Sequence, residues 1–196
     1  MSLPLPYRRA SLLLALLLAC ATMSGIVAHE IGDLPSGVRS QAVGPFVEIY
    51  FSPGGKCTEA IVNEINTAKA SIHLQAYSFT SAPIAKALVD AHKRGIKVTA
   101  VLDRSNRTQK YSSADFLAHA GIETYIDSRH AIAHNKIIIV DDISVVTGSF
   151  NFTQAAEERN AENVLVIRDK KIAETYEQNW QTHFGHSESY PADATR

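Results

Sequence analysis

The first half of the chain after residue 45 alternates predicted strands with predicted helices. Within residues 46–51, apolar Val47, Ile49 and Phe51 occupy alternate positions with Glu48 and Tyr50 between them, which is the period of a half-buried strand. Ile61, Ile65 and Ala68 recur at helical spacing and therefore share one face of a helix. These periods predict, in order, a strand at 46–51, a helix at 57–69, a strand at 71–79, a helix between Ser81 and Gly95, and a strand at 96–102.

In the second half, the pattern predicts a short helix followed by a β-hairpin. Two β-branched runs flank Asp141-Asp142, which is typical of two strands joined by a tight turn. The patterns predict a helix at 112–120, strands at 137–140, 143–147 and 162–167, and a last helix at about 170–183 that turns Ile172, Tyr176 and Trp180 inward. Strand–helix alternation followed by a hairpin indicates an α/β domain, in which a mixed β-sheet has helices on both faces.

The first 28 residues have the pattern of a secretory signal peptide. Arg8 and Arg9 precede a ten-residue apolar core, and Ala19-Cys20-Ala21 fits a small-x-small cleavage site, with Ala28 as a later one. Cleavage would send the protein to the periplasm or outside the cell, without stable membrane association. Two alternatives stay open: an uncleaved membrane anchor over this stretch, and lipidation at Cys20.

These patterns divide the chain into four predicted segments. The segments are a signal peptide at 1–28, a leader or linker at 29–44, one catalytic domain at 45–186 and a C-terminal tail at 187–196. A length of 196 residues favours a single domain over two large ones.

Charge and cysteine content exclude several classes of protein. The formal net charge is −1, and loss of Arg8 and Arg9 with the signal peptide would make it −3. A uniformly basic nucleic-acid binder is therefore excluded, although a local basic groove is not. Two cysteines exclude a disulfide scaffold and a multi-cysteine zinc site. Cys57 is expected to be a structural helix residue rather than a nucleophile.

The candidate catalytic side chains are concentrated between residues 134 and 162. His134 and Lys136 are two residues apart, so on an extended backbone their side chains project from the same face. Ser149 and Asn151 repeat this spacing after the hairpin. An imidazole, an ammonium, a hydroxyl and a carboxamide together can bind and attack a phosphate without a metal.

These residues match the pattern HxKxxxxDxxxxxxGSxN at all six fixed positions over residues 134–151. The pattern resembles the signature of the phospholipase D superfamily. From about residue 46 to 180 the chain is similar to small bacterial periplasmic, EDTA-resistant endonucleases of that superfamily. The closer similarity lies in the segments AYSFT (76–80), KRG (93–95) and TGSFNFT (147–153).

The resemblance implies a shared active site, because this chain has one copy of the motif where most superfamily members have two. A homodimer would then place two His134 side chains opposite each other. One would attack phosphorus and form a phosphohistidine, while the other would protonate the leaving oxygen and later activate water. Lys136 and Asn151 would hold the phosphoryl oxygens, with Ser149 as a weaker member. Glu162 is implied as the acid that hydrogen-bonds the nucleophilic imidazole.

A metal or other cofactor is not expected from the sequence. His130 and His134 have the spacing of a helical zinc pair, but HExxH is missing and the stretch is predicted as strand. Asp103 fits the end of a strand, and Asp141 and Asp142 fit a hairpin turn, better than they fit a cation site. Asp141 is assigned a mainly structural or supporting role. The remaining histidines are expected to be structural or exposed: His73, His92, His119, His183 and His186.

The sequence indicates the type of reaction more clearly than the substrate. Between residues 93 and 110 the only acid is Asp103, against six basic residues: Lys93, Arg94, Lys97, Arg104, Arg107 and Lys110. A flexible basic loop over the last three could follow a nucleic-acid backbone without reading bases, which favours DNA or RNA. A phospholipid or cardiolipin substrate and a catalytically idle nucleic-acid-binding module stay open as alternatives.

Overall fold

The computed structural model describes residues 41–42 and 46–192. The predicted signal peptide, its cleavage sites, the alternative anchor and Cys20 lie outside the described residues, as does most of the predicted linker. Within the described part, no helix is long and apolar enough to cross a membrane.

A single mixed sheet organises the described residues. Its nine described strands are β1 (Gln41–Ala42), β2 (Val47–Ser52), β3 (Ser71–Ala76), β4 (Lys97–Asp103), β5 (Glu123–Asp127), β6 (Lys136–Val140), β7 (Ser144–Gly148), β8 (Glu162–Ile167) and β9 (Glu188–Ser189). Their order across the sheet is β1-β2-β8-β7-β6-β3-β4-β5-β9. Strands β3, β4 and β5 run parallel, and β6 joins β3 antiparallel.

Helices cover both faces of this sheet, which confirms the predicted α/β class. They are α1 (Cys57–Thr67), α2 (Ala82–Lys93), α3 (Ala114–His119), α4 (Gln154–Glu158) and α5 (Lys170–Phe184), with a short 3₁₀-helix at Arg104–Arg107. The larger core joins α1 and α2 to one face. The smaller core centres on Trp180 of α5 against Val101, Ile137, Ile139 and Val145 on the other. Because both faces are covered, β6 is buried along its whole length.

Antiparallel insertion of the β6–β7 hairpin decides which strand ends meet. Ala76, the last residue of β3, pairs with Lys136, the first residue of β6. Gly148, the last residue of β7, pairs with Val164 near the start of β8. The C-terminal ends of β3 and β7 and the N-terminal ends of β6 and β8 therefore share one edge of the sheet.

Asp141 lies at the opposite end of β6, five residues and thus about 17 Å along the strand from Lys136. Its carboxylate accepts hydrogen bonds from the backbone N–H groups of Lys69 (2.9 Å), Ala70 (2.8 Å) and Ser71 (2.9 Å). It thereby ties the hairpin turn to the loop that leads into β3. This placement fits the structural role expected for Asp141.

Five features differ from the sequence expectations. Strand β5 and helix α4 were not predicted, and Ile172 is 39% exposed, so that Ala173 rather than Ile172 is buried on α5. At the ends, β1 forms inside the predicted linker and pairs with β2. The packed chain also continues past residue 186, because β9 pairs with β5 and Tyr190 is buried.

The Asp141 contacts predict a stability difference between two adjacent aspartates. Asp141→Ala should lower the free energy of unfolding by about 1–3 kcal/mol, because three backbone N–H groups lose a charged acceptor. Asp142→Ala is the matched control, since Asp142 has the same left-handed backbone but an exposed side chain with no hydrogen bond among the described residues. Urea denaturation of both variants measures the difference. Equal destabilisation would show that the carboxylate bridge is not what holds this turn.

Candidate functional site

His134 stands at the shared edge, immediately before β6, with an exposed side chain. Its ring packs against Tyr77 with the centroids 4.7 Å apart. The loop that presents it is fixed by two backbone contacts: Ala133 N–H donates to Asp103 Oδ2 (2.7 Å), and Tyr77 N–H donates to the Asn135 carbonyl (3.1 Å). The imidazole is therefore open to solvent while its backbone is held in place.

Lys136 points into the same cleft from the first position of β6, as the two-residue spacing predicted. It is only 6% exposed, and its Nζ donates to the His134 carbonyl at 2.6 Å. Burial lowers the pKa of the Lys136 ammonium, and the negative charge of Glu162 partly opposes this. A phosphate entering the cleft would meet a poorly solvated cation, which strengthens the attraction between them.

The end of β7 brings the second half of the motif to the cleft. Gly148 is required by close approach, because a Cβ there would lie 2.2 Å from the Asn163 carbonyl oxygen. Ser149 is exposed; its Oγ donates to Glu162 Oε2 (2.5 Å) and accepts from the Asn163 backbone N–H (3.1 Å). This hydroxyl is thus engaged in joining β7 to β8.

Asn151 follows, between two buried anchors, Phe150 and Phe152. Its side-chain Oδ1 is buried and has no hydrogen-bond partner among the described residues. Buried polar atoms normally have partners, so an unpartnered carboxamide at this edge indicates a place where a ligand or another chain completes the bonding.

Within a single chain no hydrogen bond of the described residues joins Glu162 to the His134 imidazole, so the pairing that the resemblance implies stays a prediction. The two oxygens of Glu162 accept from Ser149 Oγ and from Asn160 Nδ2 (3.0 Å). The reason is the sheet order, since β7 and β6 separate β8 from the loop that holds His134. In a single chain Glu162 acts on Ser149 and, through its charge, on Lys136.

The basic stretch is folded rather than a flexible loop. Arg104 and Arg107 lie in the 3₁₀-helix, which is fixed by buried Asn106 donating to the Tyr77 carbonyl (2.6 Å). Arg107 forms an ion pair with Glu188 at 2.8 Å, whereas Arg104 and Lys110 are exposed. Asn106 thus connects this stretch to Tyr77 and, through it, to His134.

The cleft itself has a volume of about 380 Å³. It is lined by His134, Lys136, Thr147, Ser149 and Tyr176, together with the intervening backbone. Sequence reasoning missed Tyr77 and Tyr176 as site residues. The helical period marked Tyr176 as inward-facing, and Tyr77 follows a buried strand, but neither pattern tells which inward side chain reaches the cleft.

Possible metal ligands gather away from this cleft. Within the described residues the two such groups are Asp127 with His130, His183 and His186, and His73 with Asp142 and Glu177. Neither includes His134 or Lys136. The side chains at the shared edge include an imidazole, an ammonium and an amide, which are groups that can bind an oxyanion.

Comparison with known proteins agrees with this arrangement. A family profile described as cardiolipin synthase, PLD-like domain, matches residues 61–184. A Rickettsia felis protein named phospholipase D is 51% identical over 134 residues, which are 68% of this chain and 67% of that protein. The human mitochondrial cardiolipin hydrolase is 30% identical over 132 residues, which are 65% of this chain and 52% of that protein.

A solved structure matches more completely. The phospholipase D family member Nuc from Salmonella typhimurium superposes with a TM-score of 0.72 at 42% sequence identity, and the match covers 74% of this chain and 97% of that one. Sequence motif, sheet and relatives agree, and the chain therefore belongs to the phospholipase D superfamily of hydrolases.

Proposed function

We propose that this protein is a phosphodiesterase that hydrolyses nucleic-acid backbones with little sequence preference and uses His134 rather than a metal ion as its nucleophile. The observation that supports this most is the exposed His134 imidazole beside buried Lys136 at an open cleft. An imidazole with no hydrogen bond to its ring among the described residues is free to attack phosphorus. The Lys136 ammonium can bind a phosphoryl oxygen beside it, and the Asn151 amide at the same edge of the sheet could donate to another through its Nδ2.

The reaction would proceed in two displacements. An imidazole nitrogen of His134 forms a bond to phosphorus as the bond from phosphorus to one ester oxygen breaks, and the leaving oxygen takes a proton from a second imidazole. Water then attacks the phosphohistidine, gives its proton to that second imidazole and breaks the N–P bond. Lys136 and Asn151 stabilise the charge on the phosphoryl oxygens in both steps.

The second imidazole is best supplied by another copy of this chain. The cleft contains one histidine, whereas the two displacements need a nucleophile and a separate acid–base group. A two-fold axis beside the cleft would bring two His134 rings together and would give each Asn151 side chain a neighbour from the other protomer. We therefore propose a homodimer with one composite site.

The charges near the cleft favour a polyanionic substrate. Arg104 and Lys110 are exposed, with the Lys110 ammonium 4.8 Å from the centroid of the Tyr111 ring, while the charge of Arg107 is already compensated by Glu188. Exposed cations at the end of β4 can contact successive phosphates without reading base edges. If residues 1–28 direct export, as their pattern predicts, the substrate would be nucleic acid outside the cytoplasm.

A phospholipid headgroup is the second candidate. Ile132, two residues before His134, is 57% exposed, and an apolar side chain at that position could enter a lipid surface. Relatives named phospholipase D and mitochondrial cardiolipin hydrolase support the same reading. Both candidates use the same attack on phosphorus and differ in what surrounds the phosphate.

The first test is cleavage of supercoiled plasmid in excess EDTA. His134→Ala should reduce the cleavage rate by at least about 1,000-fold, because the nucleophile is lost. His119→Ala is the control, since His119 is exposed and its ring bonds only to the Asp115 carbonyl in the described chain. Cleavage that requires magnesium, or that survives in His134→Ala, would contradict the proposed chemistry. Hydrolysis of cardiolipin vesicles with intact plasmid would favour the second candidate.

The different surroundings of Arg104, Arg107 and Lys110 predict that their substitution affects DNA binding unequally. Arg104→Ala and Lys110→Ala should each weaken DNA binding and reduce the slope of log affinity against log salt by about 1, as expected for one lost phosphate contact. Arg107→Ala should change the slope less, because Arg107 is paired with Glu188. Fluorescence anisotropy with labelled duplexes at several salt concentrations measures the slopes. Equal slopes in all variants would place the DNA elsewhere.

A further inference from the structure

A second cluster of titratable side chains lies where β5 ends and α5 ends. Asp127 is the last residue of β5, His130 follows in the next loop, His183 belongs to the last turn of α5, and His186 comes just after it. Each offers one potential ligand atom, and these four atoms all lie within 4.8 Å of one another. None of the four lines the cleft at His134.

The Asp127 carboxylate organises this cluster. Its Oδ1 accepts from the backbone N–H groups of Arg129 (3.0 Å) and His130 (3.4 Å). Its Oδ2 faces His130 Nδ1 at 2.9 Å, His183 Nδ1 at 2.9 Å and His186 Nε2 at 3.3 Å. Burial opposes ionisation, but the contacts with the three histidines hold the pKa of the Asp127 carboxyl below its ordinary value.

Hydrogen bonding alone leaves this cluster incomplete. A carboxylate oxygen has about two lone-pair sites, whereas three imidazole nitrogens converge on Oδ2. His186 Nε2 is the atom left over, because it is buried and has no aligned hydrogen-bond partner among the described residues despite its 3.3 Å separation from Oδ2. A buried ring nitrogen without a partner needs an explanation, and a bound cation would provide one.

The backbone holds these ligands on rigid elements. Trp180 Nε1 donates to the Leu74 carbonyl at 2.9 Å, and Phe184 packs edge-on against Tyr125 of β5 with the ring centroids 4.7 Å apart. The first contact fixes α5 to β3 and the second fixes its end to β5, so the position of His183 beside Asp127 does not depend on the cluster alone.

We propose that Asp127, His130, His183 and His186 form a zinc site. Three imidazoles and one carboxylate suit Zn²⁺, whereas Mg²⁺ and Ca²⁺ prefer oxygen ligands. Ligand atoms around tetrahedral Zn²⁺ with bonds of about 2.0–2.1 Å lie about 3.3 Å apart, close to the separations from Oδ2. Four protein ligands close the coordination sphere, which is typical of a structural rather than a catalytic zinc.

The site would fasten the loop that holds His134. Residues 128–135 run from Asp127 to the start of β6, and Ala133 in this loop is already bound to Asp103. A metal joining His130 to the end of α5 would secure the other half of the same loop. This inference goes beyond the proposed function, since the attack on phosphorus needs no metal and the two ideas can fail separately.

Metal binding is tested on the full chain, made without a polyhistidine tag, stripped with chelator and dialysed. Zinc titration by calorimetry should give one equivalent per chain. Saturation at about 100 times the dissociation constant should raise the melting temperature by about 5–10 °C. Magnesium and calcium should leave the melting temperature unchanged. Absence of zinc binding at micromolar concentrations would overturn the proposal.

Variants locate the bound metal. His183→Gln and His186→Gln should each lose the zinc-dependent rise in melting temperature, whereas His119→Gln and His134→Ala should keep it. Loss of binding in His134→Ala with retention in His183→Gln would place the metal in the catalytic cleft and overturn the proposal. The visible absorption of tetrahedral cobalt in the unmodified chain needs no variant, and an octahedral spectrum would likewise contradict a closed four-ligand site.

Discussion

The structure depends on the antiparallel insertion of the β6–β7 hairpin between β3 and β8. A parallel continuation of the sheet would have placed the start of β6 at the far edge from the end of β3. Antiparallel pairing instead places Lys136 opposite Ala76 and Gly148 opposite Val164. The two halves of the sequence motif, separated by a buried hairpin, therefore meet at one edge. Burial of β6 on both faces also removes most of the water around Lys136, so its charge would attract an anion in the cleft more strongly than a solvated cation would.

A second constraint comes from three aspartates whose carboxylates accept hydrogen bonds from backbone N–H groups. Asp103 receives the N–H groups of Ser105 and Ala133, Asp127 receives those of Arg129 and His130, and Asp141 holds the loop before β3. Charged acceptors bind N–H groups strongly, so Asp103 and Asp127 hold the loop that carries His134, while Asp141 holds the hairpin turn at the opposite edge of the sheet. His134 can thus be exposed to solvent and still keep a defined position.

The sequence predicts the parts of this arrangement that depend on local pattern. The β-branched runs around Asp141 identified the hairpin, and the two-residue spacing of His134 and Lys136 placed both at one cleft. Strand β5 was missed because residues 123–127 are short and mix polar with apolar side chains, and a sheet neighbour decides such cases. The hydrogen-bond partner of Glu162 and the cluster at Asp127 could not be predicted from local pattern, because both depend on the order of the strands across the sheet. His130 and His183 are 53 positions apart, and no periodicity connects them.

The proposed homodimer would build one active site from two His134 side chains. Mixed dimers of unmodified and His134→Ala chains, formed by refolding the two together at known ratios, test it most directly. If each site needs both imidazoles, an equal mixture should retain about one quarter of the activity, because only one dimer in about four has two intact chains. Activity that falls in direct proportion to the unmodified fraction, to about one half in the equal mixture, would show that each chain works alone and would contradict the account.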